Sequence, residues 1–359
     1  MSEAPVMIAA GGTGGHVFPA LAVADALRAS GVPVVWMGTR AGLEARVVPA
    51  AGIEMEWLSV AGLRGKGWRT RIAAPLTLAR ACAQALAILR RRRPRALLGM
   101  GGFASGPGGL MARMTGCPLV LHEQNAVAGL TNRMLARFAR RVLEAMPGSF
   151  PPGIEVEQVG NPVRAAIADL PPPAERFAGR GGSPRLLVLG GSQGAHGLNE
   201  RLPEALAALP AERRPQVRHQ CGERHLEMAR AAYAAAQVDA EVVAFIDDMA
   251  AAYGWADLVI GRAGAMSVAE LAAAGVGALL VPFPHAVDDH QTVNARWLEV
   301  AGAAVIIQEH ELDAERLAGE LDDLLGDRAA LLERARRARE LARPDAAETV
   351  AGVIREVAR

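Results

Sequence analysis

The chain has 359 residues, 51% of them hydrophobic, 4% aromatic and 21% charged, with a formal net charge of +1. That length suits two domains of roughly 150–200 residues, and the composition suits an α/β protein better than a sandwich and excludes a disordered chain. Three scattered cysteines, Cys82, Cys117 and Cys221, suit neither a disulfide framework nor a zinc knuckle and read as small buried apolar residues.

Apolar runs bounded by glycine and separated by helical patterns argue for parallel βαβ units. In the first half strands are expected at 6–11, 32–38, 96–102, 118–125 and 141–146, and "PALAVADALRASG" reads as a helix closed by Gly31. Residues 147–184 are dense in Pro and Gly, which breaks the pattern. It restarts with "RLLVLGGSQGAHGLN" at 185–199 and continues with strands expected in 216–222, 240–246, 256–264 and 277–284. The halves are therefore read as two Rossmann-like domains, 1–160 and 161–340, hinged near Gly160 to Arg164. A charged helical stretch follows residue 310, and 341–359 forms a final helix able to pack back on the first domain. No export signal is read near Met1, and the longest apolar runs fall short of the roughly 20 residues of a spanning helix.

"GGTGGH" (11–16) and "GGSQGA" (190–195) occupy equivalent strand-to-helix turns. In an open parallel sheet such turns lie where ligands bind, and glycine lets the backbone approach a phosphate or sugar. Neither turn has the G-x-G-x-x-G spacing or a Walker lysine, so hydride transfer and NTP hydrolysis lose support. A third cluster, "GMGGFASGPGGL" (99–110), joins "HEQN" (122–125) and His16 on the same side of the first half, so a second substrate beside a nucleotide diphosphate is expected there.

Taken together, "GGTGGHVFPALAVA", "GMGGFASGPGG", "LHEQNAVAGLTNR", "VGNPVR", "GGSQGAHGLN", "GRAGAMSVAELAAAG" and "VPFPHAVDDHQTVNAR" resemble the MurG family of N-acetylglucosaminyltransferases over nearly the whole chain. The resemblance implies an α/β GT-B fold with parallel sheets facing across a cleft. It implies inverting transfer from UDP-GlcNAc to the 4-hydroxyl of MurNAc in undecaprenyl-diphospho-MurNAc-pentapeptide, in peptidoglycan synthesis. Other GT-B readings are a UDP-GlcNAc 2-epimerase or a glycolipid glycosyltransferase, and a non-catalytic UDP-sugar sensor is the rival from another class.

On the donor side, the stretch ending a strand and opening a helix offers amides around Gly264, Ala265 and Met266 to anionic oxygens, and Ser267, Val268 and Ala269 are further donor-binding candidates. The family match assigns Glu270 to the ribose hydroxyls and Gln291 to the sugar. Ser192 is a diphosphate candidate, Arg164 a source of positive charge and Ile246 a backbone contact to uracil. Thr13, Gly14, Gly15 and Asn125 match positions that line the donor-sugar pocket. On the acceptor side stand His122, Phe103, where the family more often has tyrosine, and Ser105. His16 is the candidate general base; the plainer alternative is a histidine that packs under the loop. No metal motif and no cofactor are expected, since Asp288 and Asp289 lack converging ligands.

Residues 1–160 carry 18 basic against 9 acidic side chains, and 161–359 carry 21 against 29. The basic first half suits an anionic surface, and in its basic stretch 63–95 aromatic platforms for nucleic acid are nearly missing, Trp68 being the only aromatic there. Lys66, Arg69 and Arg71 precede Ile72, Leu76 and Leu78, with further cations at Arg90–Arg93, Arg95, Arg137, Arg140 and Arg141. An apolar face rimmed by cations fits peripheral binding to anionic phospholipid at the cytoplasmic face of the bacterial inner membrane. Other cell-wall synthesis proteins are further expected partners.

Overall fold

The computed structural model describes residues 4–59, 68–191, 194–284, 286 and 289–359, with residues 68–74 described by backbone alone. It divides into two units, Met1–Arg164 with Arg343–Arg359, and Ala165–Ala342. The division falls after Arg164 and not at 160, because the turn at 160–161 is bound to the first unit: Gly160 O accepts from His122 and Asn161 Nδ2 donates to Gln124 O at 3.0 Å.

Among the described residues the first unit holds a seven-stranded parallel sheet. Its order is β3 (Glu54–Leu58), β2 (Val34–Thr39), β1 (Val6–Ala9), β4 (Ala96–Gly99), β5 (Leu119–Glu123), β6 (Arg141–Glu144), β7 (Glu157–Gln158). The second unit holds six parallel strands. Their order is β10 (Glu241–Val243), β9 (Gln216–Gln220), β8 (Arg185–Leu189), β11 (Leu258–Gly261), β12 (Gly277–Leu280), β13 (Ala304–Ile306).

Parallel strands are covered on both faces, which is why their sequences run apolar without a polar alternate. β1 illustrates this. Val6 and Ile8 join a cluster with Val17, Ala20 and Leu27 of the helix Gly14–Ala29 and with Val350 and Ile354 of the helix Ala346–Val357. Met7 and Ala9 face the other way, into a cluster with Leu89 and Met111. The second unit has one large core, from Leu186 and Val188 of β8 to Leu317 and Leu321 of the helix Ala314–Leu325.

Three strands, β3, β7 and β13, go beyond those expected from sequence. β3 was hidden by its acids: Glu54 and Glu56 lie on an edge strand and pair with Arg92, while Arg91 also meets Glu56 at 2.6 Å. Two of the four cations Arg90–Arg93 are thereby neutralised from within. Arg141 is likewise ion-paired, with Glu157 of β7.

Candidate active site

In each sheet the strand order reverses beside the first strand of its unit, between β1 and β4 and between β8 and β11. Loops leaving adjacent strands part at such a switch point and open a crevice at the carboxyl ends. The glycine turns read from the sequence are these four loops.

In the first unit the loops after β1 and β4 touch. A Cβ at Gly102, where φ is +79°, would lie 2.1 Å from Gly11 O, so only glycine fits. Glu44, which the sequence reading missed, fastens the first loop from beneath. Fully buried, it accepts from Gly12 N at 2.9 Å, Thr39 N at 3.0 Å and Thr39 Oγ1 at 2.7 Å. Thr13 is the exposed N-cap residue of the next helix, and its hydroxyl makes no capping bond. Gly14 and Gly15 begin that helix, where amides have no partner in the preceding turn.

His16 lies in the first turn of the same helix, half-buried against Gly101. Its Nδ1 is 2.9 Å from Gln124 Oε1; Gln124 Nε2 is 3.0 Å from His122 Nδ1; His122 Nε2 is 2.8 Å from Gly160 O. His122 is fully buried, and burial lowers its basicity. It therefore lies under the loop and does not line an acceptor surface, a correction to the sequence reading. Ser105 is corrected in the same way: it is fully buried, with Oγ within 2.6 Å of Ala9 O and 2.8 Å of Gly101 O, tying the two loops together. Phe103 stands out from this loop, half-exposed. Asn125 is held through its N and Nδ2 on Glu123 Oε1 at 3.0 and 3.2 Å. The other oxygen of buried Glu123 accepts from Gly129 N and Asn132 Nδ2.

In the second unit Ser192 lies outside the described residues. Around it Gly194, at φ +75°, would bring a Cβ within 2.5 Å of Cys221 O, and Gln220 Nε2 donates to Gly191 O at 3.0 Å. After β11, Gly264 caps the helix Ala265–Ala274. Val268 N already donates to Gly264 O at 3.0 Å, and its side chain is in the core. The amides of Gly264, Ala265, Met266 and Ser267 precede the first closed turn and are the ones placed for an anionic oxygen; the Val268 amide is already used within the helix.

Glu270, on that helix, accepts a hydrogen bond from Tyr253 Oη at 3.2 Å, a partner the sequence did not reveal. Gln291 Oε1 accepts from Ala263 N at 3.2 Å and Phe283 N at 3.0 Å, so it can offer a sugar only its amide N–H. Asn294 Nδ2 adds a bond to Ala263 O at 3.1 Å. Ile246 is half-buried, and Phe245 beside it is 64% exposed, an apolar ring left at the surface. Arg164 is exposed at the end of the first unit's leading segment. Asp289 accepts from Thr292 Oγ1 at 2.8 Å, Asp288 lies outside the described residues, and no metal-ligating cluster occurs among the described residues.

The N-terminal domain of glycosyltransferase family 28 matches residues 6–144, and its C-terminal domain matches residues 185–350. The chain belongs to glycosyltransferase family 28. Curated relatives called UDP-N-acetylglucosamine–N-acetylmuramyl-(pentapeptide) pyrophosphoryl-undecaprenol N-acetylglucosamine transferase carry the likeness end to end. The protein of Alkalilimnicola ehrlichii is 61% identical over 99% of both chains. That of Halorhodospira halophila is 58% identical over 100% of this chain and 99% of its own. The crystal structure of Acinetobacter baumannii MurG aligns with a TM-score of 0.86 at 41% identity, over 99% of this chain and all of that one. Within family 28 the chain therefore falls among the MurG enzymes and is a GT-B glycosyltransferase. A kitacinnamycin glycosyltransferase, at 19% identity and a TM-score of 0.75, shares the fold.

Proposed function

We propose that this enzyme transfers N-acetylglucosamine from UDP-GlcNAc to the 4-hydroxyl of MurNAc in undecaprenyl-diphospho-MurNAc-pentapeptide, with inversion. The observation that carries the mechanism is His16, whose Nδ1 is engaged by Gln124 while Nε2 has no hydrogen-bond partner among the described residues. In the reaction the acceptor oxygen bonds to the anomeric carbon as that carbon's bond to the diphosphate breaks. The hydroxyl proton passes to His16 Nε2, and UDP leaves with the electron pair. General-base assistance of this kind is worth about 10²–10⁴-fold.

The helix amides of Ala265, Met266 and Ser267, with the "GGSQGA" loop and Arg164, stabilise the departing diphosphate electrostatically. Glu270, oriented by Tyr253, accepts from the ribose hydroxyls. Ile246 and Phe245 supply the uracil contact, and Gln291 donates to the sugar. Thr13, the Gly14 and Gly15 amides and Asn125 border the donor sugar, and Phe103 faces the acceptor.

The lipid-linked acceptor brings the enzyme to the membrane. No helix among the described residues is long and apolar enough to cross one. Instead, Met114 and Met134 are 68% and 62% exposed, each four residues after another exposed leucine, Leu110 and Leu130, on neighbouring helices, and Leu76 is exposed on the adjoining helix. Arg80, Arg113, Arg137 and Arg140 are exposed nearby in sequence. This face supports peripheral attachment to anionic phospholipid at the cytoplasmic side of the cell membrane. Lys66 lies outside the described residues, as do the side chains of Arg69, Arg71 and Ile72.

The test is transfer of labelled GlcNAc from UDP-GlcNAc to a short-chain lipid-linked MurNAc-pentapeptide in EDTA. A new β-linked GlcNAc is expected. UDP-GlcNAc binding without product would return the epimerase and sensor readings, and a strict divalent requirement would overturn the metal-free mechanism.

A further inference from the structure

Two backbone carbonyls fix the sense of every hydrogen bond between Gly160 and His16. A carbonyl oxygen only accepts, so His122 Nε2, at 2.8 Å from Gly160 O, carries a hydrogen. In a neutral imidazole the other nitrogen is then a bare acceptor, and Gln124 Nε2 fills it at 3.0 Å. The same amide nitrogen reaches His122 O at 3.1 Å, which independently requires the NH2 of Gln124 to lie on this side. Its Oε1 must therefore face His16, where it accepts from Nδ1 at 2.9 Å. His122 and Gln124 are 0% and 1% exposed, so water does not compete for these groups. Charging His122 would set an N–H against the Gln124 amide in a buried place, and desolvation opposes that charge.

We infer that Gln124 is a positioning residue that holds neutral His16 in the Nδ1–H tautomer, leaving Nε2 as the only lone pair that can take a proton. Gly101 also packs close to the ring, where a Cβ would lie 2.7 Å from Nδ1 and 2.8 Å from Cε1. Rotation and tautomer are thus set together, by a chain anchored in main-chain atoms. A further main-chain tie, Asn161 Nδ2 to Gln124 O at 3.0 Å, keeps Gln124 in register with the Gly160 turn. The catalytic consequence rests on His16 being the base; the tautomer itself does not.

The experiment uses the full chain labelled with 15N-histidine, with His16 assigned by its loss in His16→Asn. Long-range proton–nitrogen correlation, at a pH where the ring is neutral, is expected to find Nδ1 protonated and Nε2 bare. A protonated Nε2 would overturn the inference whatever the activity, and this reading needs no Gln124 variant to fold. Gln124→Met is expected to let both tautomers appear, with kcat falling on the order of ten- to a hundredfold, part of a general base's contribution, and KM for UDP-GlcNAc unchanged. If Gln124→Met folds and keeps a pure Nδ1–H tautomer, Gln124 does not set it. If the tautomer mixes but kcat stays at the wild-type value, the positioning stands and the reading of His16 as base falls.

Discussion

Glu44 Oε2 accepts a hydrogen bond from the amide of Gly12 at 2.9 Å, across 32 residues of chain. The carboxylate takes two more donors from Thr39 and lies under a loop that has no side chain of its own with which to hold its shape. Three donors aimed at two oxygens suit a carboxylate and no other side chain.

Glu44→Gln should therefore cost about 1–3 kcal/mol, since its NH2 must face at least one of these N–H or O–H groups. Chemical denaturation would measure the loss. Turnover should fall more than affinity for UDP, because the loop leads into His16 and borders the donor only at its sugar. Equal losses in both would make Glu44 a global stabiliser.

For His16→Ala the expected change is a fall in kcat on the order of 10²–10⁴-fold with UDP binding preserved. Parallel calorimetry of UDP and turnover assays separate the two. A variant that loses both to the same extent would be missing a structural histidine.

Glu270→Ala should weaken UDP-GlcNAc by roughly ten- to a hundredfold, the worth of hydrogen bonds to a charged group. It should also erase discrimination against a 2′-deoxyribose donor. Tyr253→Phe, which removes the 3.2 Å contact to Glu270, should reproduce a smaller part of the same loss. Retained discrimination in Glu270→Ala would move the ribose contact elsewhere.

Burial pushes the imidazole of His219 down to about 4, and it stays neutral beside Tyr233, whose hydroxyl lies 3.0 Å from Nδ1. In the unfolded chain the same ring binds a proton from about pH 6.5 downward, so acid favours unfolding. Stability from this residue is complete above that pH and is lost as pH falls toward about 4. The loss should reach roughly 2 kcal/mol between about pH 7 and pH 5. Denaturant midpoints across that range would show it, and His219→Gln should shrink the slope. An unchanged slope would assign the acid sensitivity to other groups, among them buried His122, whose shift has the same sign.

The double substitution Met114→Gln with Met134→Gln should reduce sedimentation with anionic vesicles while leaving transfer to a detergent-dispersed, short-chain acceptor intact. Added salt should weaken the wild type as well. Binding indifferent to both would remove this face from membrane attachment.

The strands and their glycine turns were legible because buried parallel strands and strand-to-helix loops leave local marks, an apolar run followed by Gly. The four loops of "GGTGGH", "GMGGF", "GGSQGA" and "GRAG" could be placed in that way. β3 was not legible: "EMEWL" alternates acid with apolar, and its Glu54 and Glu56 make sense only beside Arg91 and Arg92, more than thirty residues on. Glu44 failed to show for the same reason, since "LEARVV" reads as an ordinary helix opening until Gly12 is brought to it. His122 and Ser105, read as acceptor-side candidates, are buried beneath their loops, because sequence reports which loop a residue is on and not which side of it. Tyr253 as the partner of Glu270 left no periodic signal at all.

Residues 343–359 complete the first unit, placing Val350, Ala351, Val353 and Ile354 in the core around β1. A ribosome makes these side chains only after the whole second unit has been made. The segment begun first therefore waits longest for its core, while Ala165–Ala342, one uninterrupted stretch, can close beforehand. During synthesis the order of completion runs against the usual N-to-C sequence, and throughout that wait the apolar side of the helix Gly14–Ala29 lacks its partner helix.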